Sequence, residues 1–315
     1  MAVVLPAAIY VLLSLDPVQR MVRDAAASQL TDLLGADVDV KCVTIHPFNR
    51  ATVEGISLAI GSDTIASIET VSAGFELFPL LSRGEVVVDY ALLDGVEAQS
   101  PLNIQPIIDR LKSDRPSQKK AFQVEISTVI IRRASATYDV LSEAAPDSAV
   151  FDRNHIAIND LAVNAFIPQI SDRGYRVHLD HLSFAERSGF VLDKLTGRCH
   201  IAPNELLLEN FSLALPNSKL AFAPIHIHGA ENQPLNSVLR HTPTRIAIEN
   251  GSEIYPPDLE AFVPILSNIS RHFAINMESQ ACLSTVDLQR FRLRDTDGNA
   301  VDIALEAYAT GLDSV

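Results

Sequence analysis

The sequence predicts a mainly β protein, in which an N-terminal helical segment precedes a long, strongly curved and mostly antiparallel sheet. Three observations support this fold class. Apolar residues follow helical spacing as far as Gly35 and alternate with period two after it. One strand motif then recurs along the chain. Only two later segments carry a helical pattern, so we expect one or two short helices.

The recurring motif has two alternating apolar residues, a mostly polar pair, and two more alternating apolar residues. Alternation places one apolar set on one face of a sheet, and an extra residue in mid-strand moves it to the other face unless a bulge absorbs that residue. Bulged strands bend, so a row of them predicts a curved sheet with an apolar concave side. A β-sandwich uses the same alternation, so the pattern alone leaves both architectures open. The motif occurs at residues 38–45, 51–58, 86–93, 129–136, 156–163, 177–184 and 206–213.

The first 15 residues carry no charge. As a helix they span only about 22 Å, less than the roughly 30 Å of a bilayer core. No basic segment precedes them, as a signal peptide would require. We therefore interpret them as the outer part of a membrane anchor whose basic flank and first residues are missing. Residues 18–34 predict an amphipathic helix, with Asp16 as N-cap and Pro17 in its first turn. The alternative is a buried amphipathic helix that packs on a soluble domain.

These patterns divide the chain into four segments. Residues 1–35 are the predicted anchor and amphipathic helix, and residues 36–112 are a first β-unit that ends in a short helix at 103–112. The polar residues 113–121 are the best internal linker. Residues 122–315 are a second β-segment, which we expect to be truncated.

Two local signals lie within the last segment. Residues 257–269 predict a helix that is bent near Pro264. The dipeptide Asp297-Gly298 lies between two alternating runs and predicts a hairpin.

Composition and charge argue against several functions. The net charge is −14 over 315 residues, with no dense cluster of Lys and Arg, so we expect no binding to nucleic acid. Cys42, Cys199 and Cys282 are far apart and form no CxxC pair, which predicts neither a disulfide framework nor a paired metal site. Apolar residues make up 47% of the chain, enough for a sizeable core.

Three motifs resemble functional sites but lack part of what those sites require. His226 and His228 stand two apart on one strand face, as zinc ligands can, but the sequence places no third ligand. Residues 295–306 imitate a calcium loop with the glycine at the wrong position. Ser117 and Lys120 match S-x-x-K without its partner motifs. We therefore predict no catalytic residue, no metal and no cofactor, and a protein that is not an enzyme.

Two stretches of the sequence carry a resemblance to a known family. They are FPLLSRGEVVVDYALLDGVEA and LSFAERSGFVLDKLTGRCHIAPNELLLENFSLALPNSKL, and they follow an apolar helix, PVQ, and an amphipathic helix that ends in LLG. Over residues 5–222 the chain resembles the AsmA-like family, and within it the TamB-type subunit of the translocation and assembly module in Bacteroidetes-type bacteria. It departs from that family in lacking basic residues before the membrane helix and in its shorter length.

The resemblance implies a bacterial inner-membrane protein, anchored once through residues 1–15, with its bulk in the periplasm. It implies a β-taco, which is a long β-groove with an apolar interior. Such proteins are implicated in outer-membrane assembly and homeostasis and in phospholipid transport between membranes, and they are not enzymes. The partners it implies are phospholipid acyl chains and an outer-membrane assembly protein.

An apolar groove would favour acyl chains over water by roughly 0.8 kcal/mol for each buried CH₂. A second hypothesis is a periplasmic scaffold that binds an outer-membrane partner by strand addition at its open edge. The candidate lining residues of the groove are Ile156, Ile158, Leu161, Val163, Val177, Leu179, Leu182, Phe184, Leu206, Leu208, Phe211 and Leu213.

Overall fold

Strands dominate the residues that the structure, a computed structural model, describes, and this confirms the mainly β class. The chain divides into two compact units, residues 1–145 with 152–162 and residues 146–151 with 163–315. No helix among the described residues is long and apolar enough to cross a membrane. The predicted anchor at 1–15, the helix at 103–112 and the linker at 113–121 lie outside the described residues. Described are residues 19–21, 23–24, 27–28, 31, 36–46, 50–60, 63–75, 88–100, 126–140, 142–143, 150–171, 174–229, 237–238, 242–282, 285–298 and 301–310.

The first unit is a sheet whose strands are hydrogen-bonded in chain order. The first four strands are antiparallel, and the fourth and fifth are parallel to each other. A parallel pair needs a long crossover, and residues 101–125 connect these two strands. A sixth strand begins in this unit and continues into the second. The strands are β1 (Asp37–His46), β2 (Arg50–Ile60), β3 (Asp63–Phe75), β4 (Val88–Ser100), β5 (Ile126–Asp139) and β6 (His155–Ser171).

Four of the predicted polar pairs contain a residue with left-handed backbone in mid-strand. The φ angle is +63° at Gly55, +50° at Arg133, +53° at Asp160 and +51° at Asn210. Each is the second residue of its pair. A left-handed residue turns the strand so that the apolar side chains before and after it share a face, at the cost of a local bend. The predicted strand irregularity is therefore confirmed at these four positions.

The other three predicted pairs contain no left-handed residue. In β4 the pairing with β3 shifts by one residue at Asp89, inside the predicted pair at 89–90, so the predicted irregularity is present there. The motif also fits five residues later, around Asp94-Gly95, where glycine accepts a left-handed backbone with φ of +67°. The pairs Lys41-Cys42 and Asp180-His181 are not among the described residues with positive φ.

A row of alternating long side chains and glycines crosses β1–β5 at the level of these bends. Strand pairing on either side places Lys41, Gly55, Glu69, Gly95 and Arg133 next to one another. The stem of Lys41 lies over Gly55, and Glu69 lies over Gly95. Arg133 Nη2 donates to Glu69 Oε2 at 2.8 Å. The glycines therefore do two things: they accept the left-handed backbone and they leave room for the neighbouring side chain.

The core of the first unit is formed by apolar residues of β1 and β2. The described residues between 19 and 31 are helical, in agreement with the predicted amphipathic helix, and Ala27 packs against this core. The Val38 amide donates to Thr31 Oγ1 at 3.1 Å, which ties the helical segment to the start of β1. The buried core residues are Val38, Val40, Val43 and Ile56.

The second unit is a sheet of antiparallel strands. The order is β7-β9-β10-β11-β13-β14-β15-β16, with β8 paired to β7 and β12 paired to β10. Within each unit the strands form one hydrogen-bonded series, as expected of the open sheet and not of the sandwich. The strands are β7 (Gly174–Glu186), β8 (Val191–Leu192), β9 (Lys194–Ala202), β10 (Glu205–Ala214), β11 (Lys219–Ala221), β12 (Ile225–His228), β13 (Thr244–Ile254), β14 (Phe273–Ala281), β15 (Thr285–Asp295) and β16 (Asp302–Thr310).

The prediction of one bent helix at residues 257–269 is wrong. Two short 3₁₀-helices, Pro256–Leu259 and Pro264–Asn268, replace it, and each begins at a proline. Pro264 cannot donate the backbone hydrogen bond that a continuous helix needs at that point. The predicted hairpin is confirmed, because β15 and β16 pair antiparallel on either side of Asp297-Gly298.

Candidate apolar binding face

The twelve predicted lining residues lie on β6, β7 and β10, and every one is half-buried. Ile156, Ile158 and Leu161 belong to the first unit, whereas Val163 and the residues of β7 and β10 belong to the second. Half-burial of an apolar strand residue indicates packing against its neighbours within the sheet while solvent still reaches its outer side. The second unit holds nine of these twelve residues.

Strand pairing in the second unit aligns two apolar rows across β7, β9, β10 and β12. Residues directly opposite on antiparallel strands carry their side chains on the same face. We call the eight residues of these rows the apolar face. The first row is Tyr175, Ile201, Leu206 and Ile227, and the second is Val177, Cys199, Leu208 and Ile225.

Solvent reaches the apolar face. Tyr175 and Ile201 are 51% and 36% exposed. Of the other six residues only Ile227 is buried. Contiguous apolar surface that is exposed to solvent often marks a site that binds a ligand, a membrane or another protein.

Five residues of the apolar face were not among the predicted lining residues. Cys199 and Ile201 lie on β9, where the sequence LTGRCHI alternates without a polar pair and so does not match the motif. Ile225 and Ile227 alternate with the histidines of IHIHG, a stretch that does not contain the motif. Tyr175 precedes the motif of β7. Plain period-two alternation is the signal that would have found all five.

A bulge carries the apolar surface further along β10. The pairing of β9 with β10 shifts by one residue between Glu209 and Ser212, so Asn210 and Phe211 lie opposite the single residue Gly197. A Cβ on Gly197 would lie 3.1 Å from Cδ2 of Phe211, so the absence of a side chain makes room for this ring. The Phe211 and Phe222 rings then pack with centroids 5.3 Å apart. The bulge therefore places Phe211 on the same side as the apolar face.

The opposite side of the same strands is polar. Arg176, His200, Leu207 and His226 form one row across it, and Arg198 lies next to Glu209. We call this side the polar face. The sheet is thus amphipathic, although the alternation within each strand does not by itself show which strands share a row.

The cysteines take no part in disulfides. Cys42, Cys199 and Cys282 form no disulfide and are half-buried. Burial raises the pKa of the Cys199 thiol above its ordinary value, so this side chain is the neutral thiol at neutral pH and acts as a small apolar group.

The calcium-like loop serves the β15–β16 hairpin. The Asp295 carboxylate is fully buried. It accepts a hydrogen bond from Arg271 Nη1 at 2.7 Å and one from the Asp297 amide at 2.8 Å. Asp297 in turn accepts from the His272 amide at 2.9 Å. These carboxylates therefore stabilise the turn of the hairpin. Ser117 and Lys120 of the S-x-x-K match lie outside the described residues.

The fold and the apolar face define a class: a mainly β protein with an amphipathic antiparallel sheet that presents apolar rows to solvent. Such a surface can hold elongated apolar molecules without atom-specific contacts. No protein-family model, no curated protein and no solved structure matches the chain.

Proposed function

We propose that the chain belongs to an AsmA-like envelope protein family of the TamB type and holds phospholipid acyl chains on an apolar β-surface. The observation that carries the proposal is the solvent-accessible apolar face, with its two rows that each cross four strands. The resemblance in sequence supports an anchor in the inner membrane through residues 1–15 and a bulk in the periplasm. It also supports a part in outer-membrane assembly and homeostasis and in phospholipid transport between membranes.

The size of the apolar face suits an acyl chain. Neighbouring strands are about 4.8 Å apart, so four strands span about 14 Å between the outermost two. A chain of about 16 carbons that buries half of its surface gains roughly 6 kcal/mol, at about 0.8 kcal/mol for each fully buried CH₂. Because this gain is spread over many side chains, no single residue dominates binding. A lipid can therefore move along such a surface without a large barrier at any one step.

Site-specific photo-crosslinking tests the proposal. A photoreactive amino acid at Leu179, on the apolar side of β7, is compared with one at Asp180, its exposed neighbour. When the full chain is expressed in bacteria and the envelope fraction is irradiated, we expect covalent phospholipid adducts at residue 179 and few at residue 180. Equal lipid labelling at both positions, or protein crosslinks alone at Leu179, would contradict the proposal.

A second candidate function is a scaffold that binds a partner by strand addition, and β16 favours it. All nine residues of β16 are exposed, with Ile303, Leu305 and Tyr308 at 46%, 50% and 69%. Among the described strands it pairs only with β15, so one backbone edge is available for pairing. A photoreactive residue at Tyr308 should then crosslink to an outer-membrane protein, and lipid adducts alone would argue against this function.

A further inference from the structure

The polar face carries a cluster of side chains that the sequence could not assemble. His226 and His228 lie on β12, and Glu205 begins β10. Strand pairing places Glu205 directly opposite His228 and places His226 one alternation away on the same face. The third partner that the two histidines lacked in the sequence therefore comes from a neighbouring strand.

The three side chains already converge. His226 Nε2 donates to Glu205 Oε1 at 2.7 Å. The two imidazole rings have centroids 6.1 Å apart. One ligand atom from each residue lies within 4.8 Å of the other two. In a tetrahedral zinc site the ligand atoms are about 3.3–3.5 Å apart, since Zn–N and Zn–O bonds are about 2.0–2.2 Å long. Small side-chain rotations therefore bring all three to bonding distance without movement of the strands.

Two hydrogen bonds join the residue before β10 to the residue after β12, next to the cluster. The Gly229 amide donates to the Asn204 carbonyl at 2.8 Å, and the Asn204 side-chain amide donates to the Gly229 carbonyl at 3.1 Å. These residues directly adjoin Glu205 and His228. The pair of hydrogen bonds fixes the two strands in register at the site, so less ordering remains to be done when a ligand binds.

The charge of the cluster also suits a cation. The hydrogen bond from His226 lowers the pKa of the Glu205 carboxyl below its ordinary value, and burial opposes this only in part. Glu205 is therefore a carboxylate at neutral pH. The His226 side chain is 54% exposed and that of Glu205 is 28% exposed, so a metal ion can reach the site from solvent.

We infer that Glu205, His226 and His228 form a Zn²⁺-binding site on the polar face of the second unit. Two imidazole nitrogens and one carboxylate oxygen are a common zinc ligand set, and the exposed side of the cluster leaves the fourth position to water. The site is separate from the apolar face, because His226 and His228 point to the opposite side of β12 from Ile225 and Ile227. Its existence therefore does not depend on the proposed lipid function.

Zinc titration of the full chain tests this inference, with any affinity tag removed so that no histidine tag competes. Isothermal titration calorimetry with ZnCl₂ should show one ion bound per chain. H226A and H228A should each weaken Zn²⁺ binding by at least about tenfold, and E205Q should weaken it by a similar factor. Co²⁺ substituted for Zn²⁺ should give the strong visible absorption of a four-coordinate site, and each variant should lose it.

The matched control is H200A. His200 lies on the same polar face, opposite Leu207 on β10, and is not a member of the cluster. This variant should retain Zn²⁺ affinity to within about twofold, because no ligand is lost. Circular dichroism establishes that each variant is folded, and His226→Gln serves if alanine disturbs β12. Absence of Zn²⁺ binding, or equal weakening by H200A and H226A, would overturn the inference.

Discussion

Substitution of Gly55 by alanine tests how the first sheet is bent. The residue has φ of +63°, inside the small left-handed region where a side chain costs about 1–2 kcal/mol. Its new Cβ would lie 2.4 Å from Cδ and 2.8 Å from Cγ of Lys41. Because Cγ is so close, the whole Lys41 side chain must change rotamer and leave its position over β2. Such crowding adds about 1–3 kcal/mol, so G55A should weaken local stability by about 2–5 kcal/mol in all.

Two further variants separate the backbone cost from the contact. In the G55A/K41A double variant Cγ and Cδ are gone and only Cβ of residue 41 stays close, at 3.1 Å, so the cost of G55A should fall towards the backbone part, about 1–2 kcal/mol. Gly251 offers a comparison in the second unit, with φ of +89° and no atom within 4 Å of an added Cβ. G251A therefore measures the backbone cost with no contact. K41A alone should change stability by less than about 0.5 kcal/mol.

Hydrogen–deuterium exchange with mass spectrometry is the suitable assay, because it reports the opening free energy of β2 and β13 separately in a chain with two compact units. Amides of β2 should exchange faster in G55A than in the parent, and K41A should restore much of their protection. The reasoning is refuted if G55A costs no more than G251A and the cost is unchanged when Lys41 is removed.

Three further predictions concern the second unit. Asn210 has φ of +51°, so N210V should destabilise β10 by about 1–2 kcal/mol more than N210G, measured by exchange of β10 amides, and equal effects would contradict the left-handed bulge. The hydrogen bond from Arg245, and then the charge of Arg245, lower the pKa of Glu278. The stability that this pair adds is complete above the ordinary carboxyl pKa and is lost as the pH falls through the lowered pKa. R245M should therefore raise the pKa of Glu278 in an NMR titration, and an unchanged pKa would refute the pairing. D295A should destabilise β14–β15 by about 1–3 kcal/mol, since it leaves the Asp297 amide without its buried acceptor, and a neutral effect on exchange in β15 would count against the hairpin role.

The strand bends were predictable because their signal is local. A polar pair between apolar alternations identifies the left-handed positions at Gly55, Arg133, Asp160 and Asn210 from a few neighbouring residues. In β4 two overlapping frames of the motif fit, and the strand uses both: the register shifts at Asp89, and Gly95 has the left-handed backbone.

The rows were not predictable because strand pairing is non-local. Nothing in LTGRCHI shows that Cys199 lies between Val177 and Leu208, or that β12 pairs with β10 instead of with its successor. Glu205 is 21 residues from its hydrogen-bond partner His226. The sequence therefore indicates two histidines with the spacing of zinc ligands but not the carboxylate that lies beside them. Register, which the structure supplies, assembles both the apolar face and the metal-ligand cluster.

The native thiol of Cys199 gives the most direct test of the central claim that the apolar face binds acyl chains. In a chain carrying C42S and C282S, a short-chain phospholipid kept below its micelle concentration should slow maleimide modification of Cys199 by about tenfold at a lipid concentration about ten times the Kd. In the matched chain that also carries C199S and H200C, the introduced thiol lies on the polar face, and the same lipid should change its rate by less than about twofold. Equal protection of both thiols, or of neither, would contradict the account.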